Sequence, residues 1–387
     1  MKAFFLAFLV VVSAATLYVA WHIWRLTPAS WFVRLIVVGA FLLWTASFFF
    51  GFFFLEKVPF RAAIPLYQIG NTWLIAFLYI FLAFFLLDIL SICGALPKGF
   101  LKESWPVLGG IAGAVTLLLC LGSLHYHHKY REELTITTSK PLEKPLTVVM
   151  ASDLHLGYHN RRKELGRWID LFNAENPDLV LFGGDIIDRS LRPVIRGDYA
   201  AEFKRLKAPI WSVLGNHEYY SDVERSEMFF KEAGIGLLKD CFIDTLGIRI
   251  VGRNDRSYPC RPALWEILPV PDASPAADSL RFAPYPGKCP SAADLPPQRR
   301  FTILLDHQPY NLKEAEEAGI DFQFSGHTHR GQVWPISWIT DRMYEKSWGH
   351  LQRGDTRYYV SSGLGIWGAK IRIGTRSEYL VLRVNSK

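Results

Sequence analysis

Four apolar runs crowd the first third of the 387-residue chain, at approximately residues 3–24, 35–55, 73–92 and 107–124. Each approaches the roughly 20 residues that a helix needs to cross the hydrocarbon core of a bilayer. Inside lipid every backbone N–H and C=O must be paired within its own segment, so isolated runs of this kind can only be helices. The predicted organisation is an all-α four-helix transmembrane domain over residues 1–128 and a soluble domain over residues 129–387. A signal peptide is the other reading of the first run, because Lys2 precedes it. That stretch, however, is longer than an ordinary signal core and leads straight into three more. Asp88 lies inside the third run, where a carboxylate without a partner costs roughly 3 kcal/mol. It reads either as an ion or substrate contact or, the favoured reading, as a bundle-facing residue near the end of the span.

Charge and cysteine usage narrow the setting. Of the formal net charge of +7, residues 1–128 supply +4, from seven Lys/Arg against three Asp/Glu, and the remainder +3. Such a mild excess suits anionic lipid headgroups or a phosphorylated substrate. No basic stripe interleaved with aromatics is present, so no nucleic acid partner is expected. Lys2, Lys57, Arg61, Lys129 and Arg131 flank the runs on one side, and Arg25, Arg34, Lys98 and Lys102 on the other. The excess predicts both termini, and with them the soluble domain, in the cytoplasm. Cys241, Cys260 and Cys289 fall in the soluble part without a Cys-x-x-Cys pattern; an odd set is no disulfide framework and fits a reducing compartment. The collar of residues 125–131, rich in His, Tyr and Lys, reads as an interfacial boundary rather than a metal site.

Beyond residue 129 short apolar runs alternate with helical patterns, which argues for layered α/β architecture. A strand is expected at 134–138. A helix is expected at 162–174, where Leu165, Trp168, Ile169 and Phe172 share a face, with further helices at 199–206 and 222–233. Residues 241–244 and 248–252 read as a hairpin turning at Leu246-Gly247, and 357–361 and 379–384 as closing strands. Residues 256–297 hold ten of the 22 prolines, too many for long helices or central strands. Lying just before the run that ends at His307, this insertion reads as a cap with an apolar face for an acyl chain or membrane, or else as a disordered insertion.

Five polar clusters each follow one of the short apolar runs. They are Asp153-Leu154-His155, Gly184-Asp185-Ile186-Ile187-Asp188, Gly215-Asn216-His217-Glu218, His307 in Asp306-His307-Gln308, and Ser325-Gly326-His327-Thr328-His329. A lone His-x-His is more often a surface pair than a site. Here five of the chain's 11 histidines fall in such clusters, and scatter does not explain that.

In order, these clusters resemble the signature of the calcineurin-like metallophosphoesterase superfamily: Asp-x-His, Gly-Asp, Gly-Asn-His-Asp/Glu, His, Gly-His-x-His. Residues 152–157 and 326–332 are similar to small bacterial phosphodiesterase-like members, which usually carry Gly where Arg330 stands. The resemblance implies a metallophosphoesterase-type α/β/β/α sandwich and two divalent cations bridged by Asp185. Asp153, His155 and His329 would complete the ligands of one cation, and Asn216, His307 and His327 those of the other. Mixed oxygen and imidazole ligands suit manganese, iron or zinc better than calcium or magnesium, and manganese is favoured. A bridging hydroxide would attack phosphorus while His217 protonates the leaving oxygen. Asp188 would orient His217, and both Asp188 and Glu218 also read as plainly structural.

The expected function is a membrane-integral phosphodiesterase at a bacterial inner membrane, acting on a phosphorylated small molecule or lipid. The chain is similar, too, to membrane-associated enzymes that cleave UDP-2,3-diacylglucosamine at its pyrophosphate, a second reading. Residues 184–189 and 215–218 resemble the serine/threonine protein phosphatases, but Ser190 stands where those have Gly. A membrane sensor or scaffold that only binds a phosphorylated ligand is the reading of another class. The full set of ligand residues, together with His217, argues against it.

Overall fold

The computed structural model describes residues 2–268 and 300–387, so most of the proline-rich insertion lies outside the described residues. The chain divides into two compact units: residues 1–124 with 368–371, and residues 125–367 with 372–387.

The first unit contains α1 (Lys2–Leu26), α2 (Trp31–Phe54) and α3 (Phe60–Ile92) and nearly all of α4 (Trp105–His127). All four helices are long and apolar enough to cross a membrane. Their outward faces carry large apolar side chains such as Leu43, Phe53 and Leu117, as lipid-facing helices must. α3 starts at Phe60 rather than at residue 73. Gln68 and Asn71 lower the hydropathy there without interrupting the helix, and Asn71 donates its side-chain amide to the Tyr67 carbonyl at 2.8 Å. Pro65 removes only one ladder bond near the N-terminal end. Asp88 has partners within the bundle: the Tyr18 hydroxyl donates to it at 2.6 Å and His22 Nε2 lies 3.0 Å away.

Among the described residues the second unit has twelve strands. They are β1 (Lys129–Thr138), β2 (Leu146–Ala151), β3 (Leu179–Phe182), β4 (Ile210–Ser212), β5 (Gly236–Leu237), β6 (Cys241–Thr245), β7 (Ile248–Gly252), β8 (Phe301–Leu305), β9 (Phe322–Ser325), β10 (Gly349–Arg353), β11 (Thr356–Val360) and β12 (Ser377–Ser386). Two six-stranded sheets form, in the orders β1-β12-β2-β3-β4-β5 and β10-β11-β9-β8-β7-β6. The period-two alternation of side chains explains how they pack. From β2, Val148 and Met150 enter a core with Ile303, Leu305, Phe322 and Phe324 of the other sheet. Val149 and Ala151 point the opposite way, onto Trp168, Ile169 and Phe172 of α5 (Arg162–Ala174). On the second sheet Leu304 turns outward onto Leu312 and Ala315 of the Leu312–Glu317 helix. Both sheets are therefore covered on both faces, an α/β/β/α sandwich.

Local chemistry accounts for most of the outer elements. α5 has the expected bounds, while the helix expected at 199–206 ends early: after α6 (Arg192–Arg196), α7 covers only Tyr199–Phe203. α8 (Asn216–Ser221) precedes α9 (Val223–Ala233), which Asp222 caps by accepting from the Arg225 amide. Leu246 and Gly247 have φ of 51° and 75°, the backbone a two-residue hairpin requires. β1 reaches back to Lys129 because its parallel pairing with β12 continues to Lys129↔Ser377. β10 was not legible because its polar residues lie at a sheet edge, paired only with β11.

One feature of topology positions the site. β2, β3 and β4 are parallel neighbours, as are β8 and β9, so the five polar clusters follow the C-terminal ends of strands that run side by side. Phe324 is fully buried between the sheets and lies directly against Gly183, after β3. Phe324→Ala is expected to cost about 3–5 kcal/mol, read as a lower thermal-unfolding midpoint of the full-length protein in detergent.

Candidate active site

The backbone itself turns the strand ends inward. Asp153, His155, Asp185, His327 and His329 have φ of 56°, 44°, 52°, 70° and 47°, a left-handed region that costs a non-glycine residue on the order of 1–3 kcal/mol. Such residues persist only where the surroundings impose the geometry. Gly215 shows how tight those surroundings are: a Cβ there would lie 2.1 Å from Asp185 Oδ1.

Three groups of side chains converge. Asp153, His155 and His329 form one, and Asp185, His307 and His327 another; His155, Asp185 and His217 form a third that overlaps both. In the first, His155 Nε2 and His329 Nε2 are 3.0 Å apart, and Asp153 Oδ1 lies 3.8 and 3.4 Å from them. In the second, His307 Nε2 is 3.1 Å from Asp185 Oδ2. His307 Nδ1–H donates to the Gly183 carbonyl at 2.7 Å, which turns Nε2 towards the carboxylate. Asn216 Oδ1 joins this group 2.8 Å from His327 Nδ1. Asp185 Oδ2 also lies 3.7 Å from His155 Nε2, so one carboxylate borders both groups.

The remaining candidates hold these in place. Asp188 Oδ1 stands 3.4 Å from His155 Nδ1 and 3.5 Å from His217 Nδ1, serving two imidazoles where one was expected. Glu218 is fully buried and accepts from the amides of Asp185, Ile187 and Gly215 at 3.1, 2.9 and 2.7 Å. It ties the β3 loop to the β4 loop. His217 is partly exposed, with its amide donating to Asp185 Oδ1 at 2.8 Å and its ring 5.4 Å from that of Tyr220.

Electrostatics follow from burial and neighbours. Burial pushes Asp153 up, but His329 and His155 outweigh it and hold the carboxyl below its usual range. Asp185 is likewise held well down against burial, chiefly by His307 and His217, and Asp188 by His155 and His217. Burial opposes the charge on His155, yet Asp153 and Asp188 raise it to about 10; Asp185 raises His307 in the same way. His327 goes the other way, down to about 4, through burial and then the charge of His307. Burial, then the charge of Asp185, lifts Glu218 to about 8. The carboxylates thus favour charge on His155 and His307, while burial holds His327 and His329 below the usual imidazole range.

Comparison with known proteins agrees with this geometry. Residues 146–331 match the model of the calcineurin-like phosphoesterase family. That stretch is similar to a calcineurin-like phosphoesterase domain. A metallophosphoesterase of Helicobacter pylori strain J99 is 29% identical over 250 residues, 64% of this chain and 61% of its own. One of Campylobacter jejuni is 28% identical over 278 residues, 70% of this chain and 68% of its own. A Danio rerio transmembrane protein with metallophosphoesterase domain is 32% identical over 243 residues, 60% of this chain and 52% of its own. The chain thus spans about three fifths of the Helicobacter relative's length, 61%.

The residues present fit two cations. Ligand atoms about 2.1 Å from one cation and at right angles to each other lie about 3.0 Å apart. The pairs His155/His329, His327/Asn216 and His307/Asp185, at 3.0, 2.8 and 3.1 Å, have that spacing. Among the described residues, the ion pairs of Asp153 and Asp185 are all to imidazoles, not to Lys or Arg. Buried carboxylates so arranged are the usual environment of a metal.

Two contributors to the site carry no signal in the sequence strong enough to find them. Arg372, fully buried, donates to the carbonyls of His329, Ser362, Gly363 and Gly365 and so braces the His329 turn. The 361–365 segment, signalled only by Gly363-Leu364-Gly365 after a strand, returns amides to the Ser152 and Asp153 carbonyls at 3.0 Å. Arg330 has a φ of 48° and lies with its guanidinium 4.4 Å from the Trp348 ring centroid. A positive φ is what glycine tolerates best, so Arg330 occupies a backbone position made for Gly.

Glu218→Gln keeps one accepting oxygen but replaces the other with an NH2 donor, leaving at least one of the three buried amides facing a donor. It is expected to cost about 1–3 kcal/mol in the full-length protein's unfolding and to lower bound divalent metal, measured by mass spectrometry after gel filtration.

Proposed function

We propose that the chain is a membrane-integral phosphodiesterase that hydrolyses a phosphoester or pyrophosphate with two divalent cations, manganese favoured. The observation that carries this reading is the position of Asp185 Oδ2, 3.7 Å from His155 Nε2 and 3.1 Å from His307 Nε2. One carboxylate can then serve both sides. Asp153, His155 and His329 would hold one cation and Asn216, His307 and His327 the other. Bound there, the cations would neutralise phosphoryl oxygens and acidify water near neutral pH.

The chain's own residues do the rest. His217 reaches the cleft beside Asp185 and would hand a proton to the leaving oxygen. Asp188 would keep that imidazole oriented while also steadying His155. Glu218 would fix the two loops that carry Asp185 and Asn216, so the geometry need not reorganise during reaction. The membrane part is read as residues 1–128 and the hydrolase as 129–387, facing the cytoplasm of a bacterial inner membrane on the strength of the flanking Lys and Arg.

The test is turnover of a soluble artificial phosphodiester by detergent-purified protein loaded with manganese. His217→Ala is expected to lower kcat by a factor of about 100 to 10,000 with bound metal retained. Asp185→Asn is expected to lose both metal and activity. Should the metal-loaded wild type be no more active than either variant, the chain is a phosphate-binding module and not a hydrolase.

A further inference from the structure

The turn that carries His329 leads within a few residues into a short helix, Ile336–Met343. Its inward residues, Ser337 and Thr340, are polar and only 5% and 7% exposed, whereas Trp338, Ile339 and Met343 are 59%, 59% and 66% exposed, beside the exposed Asp341 and Arg342. Trp334, just before the helix, packs edge-on against Trp338 with ring centroids 5.3 Å apart and is itself exposed. A water-facing surface of this kind would ordinarily be charged.

Packing explains only half of this pattern. A Cβ at Gly331 would lie 2.7 Å from Ser337 N and from Thr340 Oγ1, so the helix sits directly on the turn after His329. The inner residues must therefore be small. Nothing in that contact requires tryptophan, isoleucine and methionine on the outside. Neighbouring contacts tie the same helix to the cleft: the ring of Tyr344, its C-cap, lies 6.3 Å from the His327 ring. The helix therefore adjoins the candidate metal centre through its inner side and its C-cap, with the apolar face turned outward.

We infer that this face docks into the lipid bilayer surface, immersed at headgroup level and holding the rim of the cleft against membrane phosphates. Two observations select lipid as the occupant. The last candidate span ends at His127 and β1 begins at Lys129, so a single residue separates a lipid-crossing helix from the hydrolase. Tryptophans at one end of a short apolar helix face are what a headgroup region accepts best. The inference deepens the proposed function by naming lipid phosphoesters as the substrate class. Only that consequence rests on the phosphodiesterase reading; the docking does not.

The test uses the full chain in nanodiscs of equimolar phosphatidylcholine and phosphatidylglycerol, with native cysteines replaced by serine. An environment-sensitive fluorophore is attached through Ile339→Cys, through Met343→Cys on the same face, or through Lys163→Cys on α5. Spin-labelled phosphatidylcholine is expected to reduce emission about twofold or more at the first two positions and to leave the third unchanged. Equal quenching at all three overturns the inference. So does a label on the helix that stays unquenched, whether its emission is that of water or of a protein-covered site. Turnover of the soluble diester by the labelled proteins, expected unchanged, separates this test from the function: if even the wild type does not turn over, the phosphodiesterase reading fails while the quenching still decides the docking.

Discussion

A buried carboxylate needs positive charge beside it, and in this chain Asp153, Asp185 and Asp188 are all buried within a few ångströms of imidazoles. That requirement organises the second unit. Lysine or arginine could have met it from one side with a flexible chain. Imidazoles meet it from fixed directions, and can equally well give way to a cation. The structure therefore spends its regularity on aiming five histidines, through parallel strands whose ends lie together.

Aiming has a backbone cost. Five of the converging residues hold positive φ, and the restraints that impose it come from the layer around them. Glu218 gathers three amides of two loops. Arg372 gathers four carbonyls around the His329 turn. Gly215 allows one loop to lie directly on the Asp185 carboxylate. Glu218 and Arg372 are buried and each makes several hydrogen bonds, and multiply bonded buried groups of this kind rigidify a site.

The two units obey different solvents. In the first, apolar side chains face outward and the one carboxylate inside a span is met by Tyr18 and His22. In the second, most apolar side chains face inward, while the Ile336–Met343 helix groups Trp338, Ile339 and Met343 on its outer surface. That helix adjoins the cleft, with its C-cap residue Tyr344 6.3 Å from the His327 ring. Arg330 adds a cation at the same rim, held over Trp348.

Much of this was written in the chain order. The apolar runs of about 20 residues dictate helices because lipid offers no other backbone partner. Short β-branched and aromatic runs ending in Asp, Asn and His announced both the strands and the residues at their ends, and Leu246-Gly247 announced its hairpin. These signals are local, so periodicity and turn chemistry could carry them. Three-dimensional packing alone decided the rest. β10 and the backward extension of β1 exist because a partner strand accepts them; α3 runs through its polar stretch because helix bonding there is already satisfied. Arg372 reaches the His329 turn across 43 positions of sequence, and Asp188 lies between two imidazoles brought from different strands. The outward Trp338 and Ile339 look like core in the sequence and become surface only once Gly331 forces the small side of the helix inward. Hydrophobicity is a property of residues; which way it faces depends on what packs behind it.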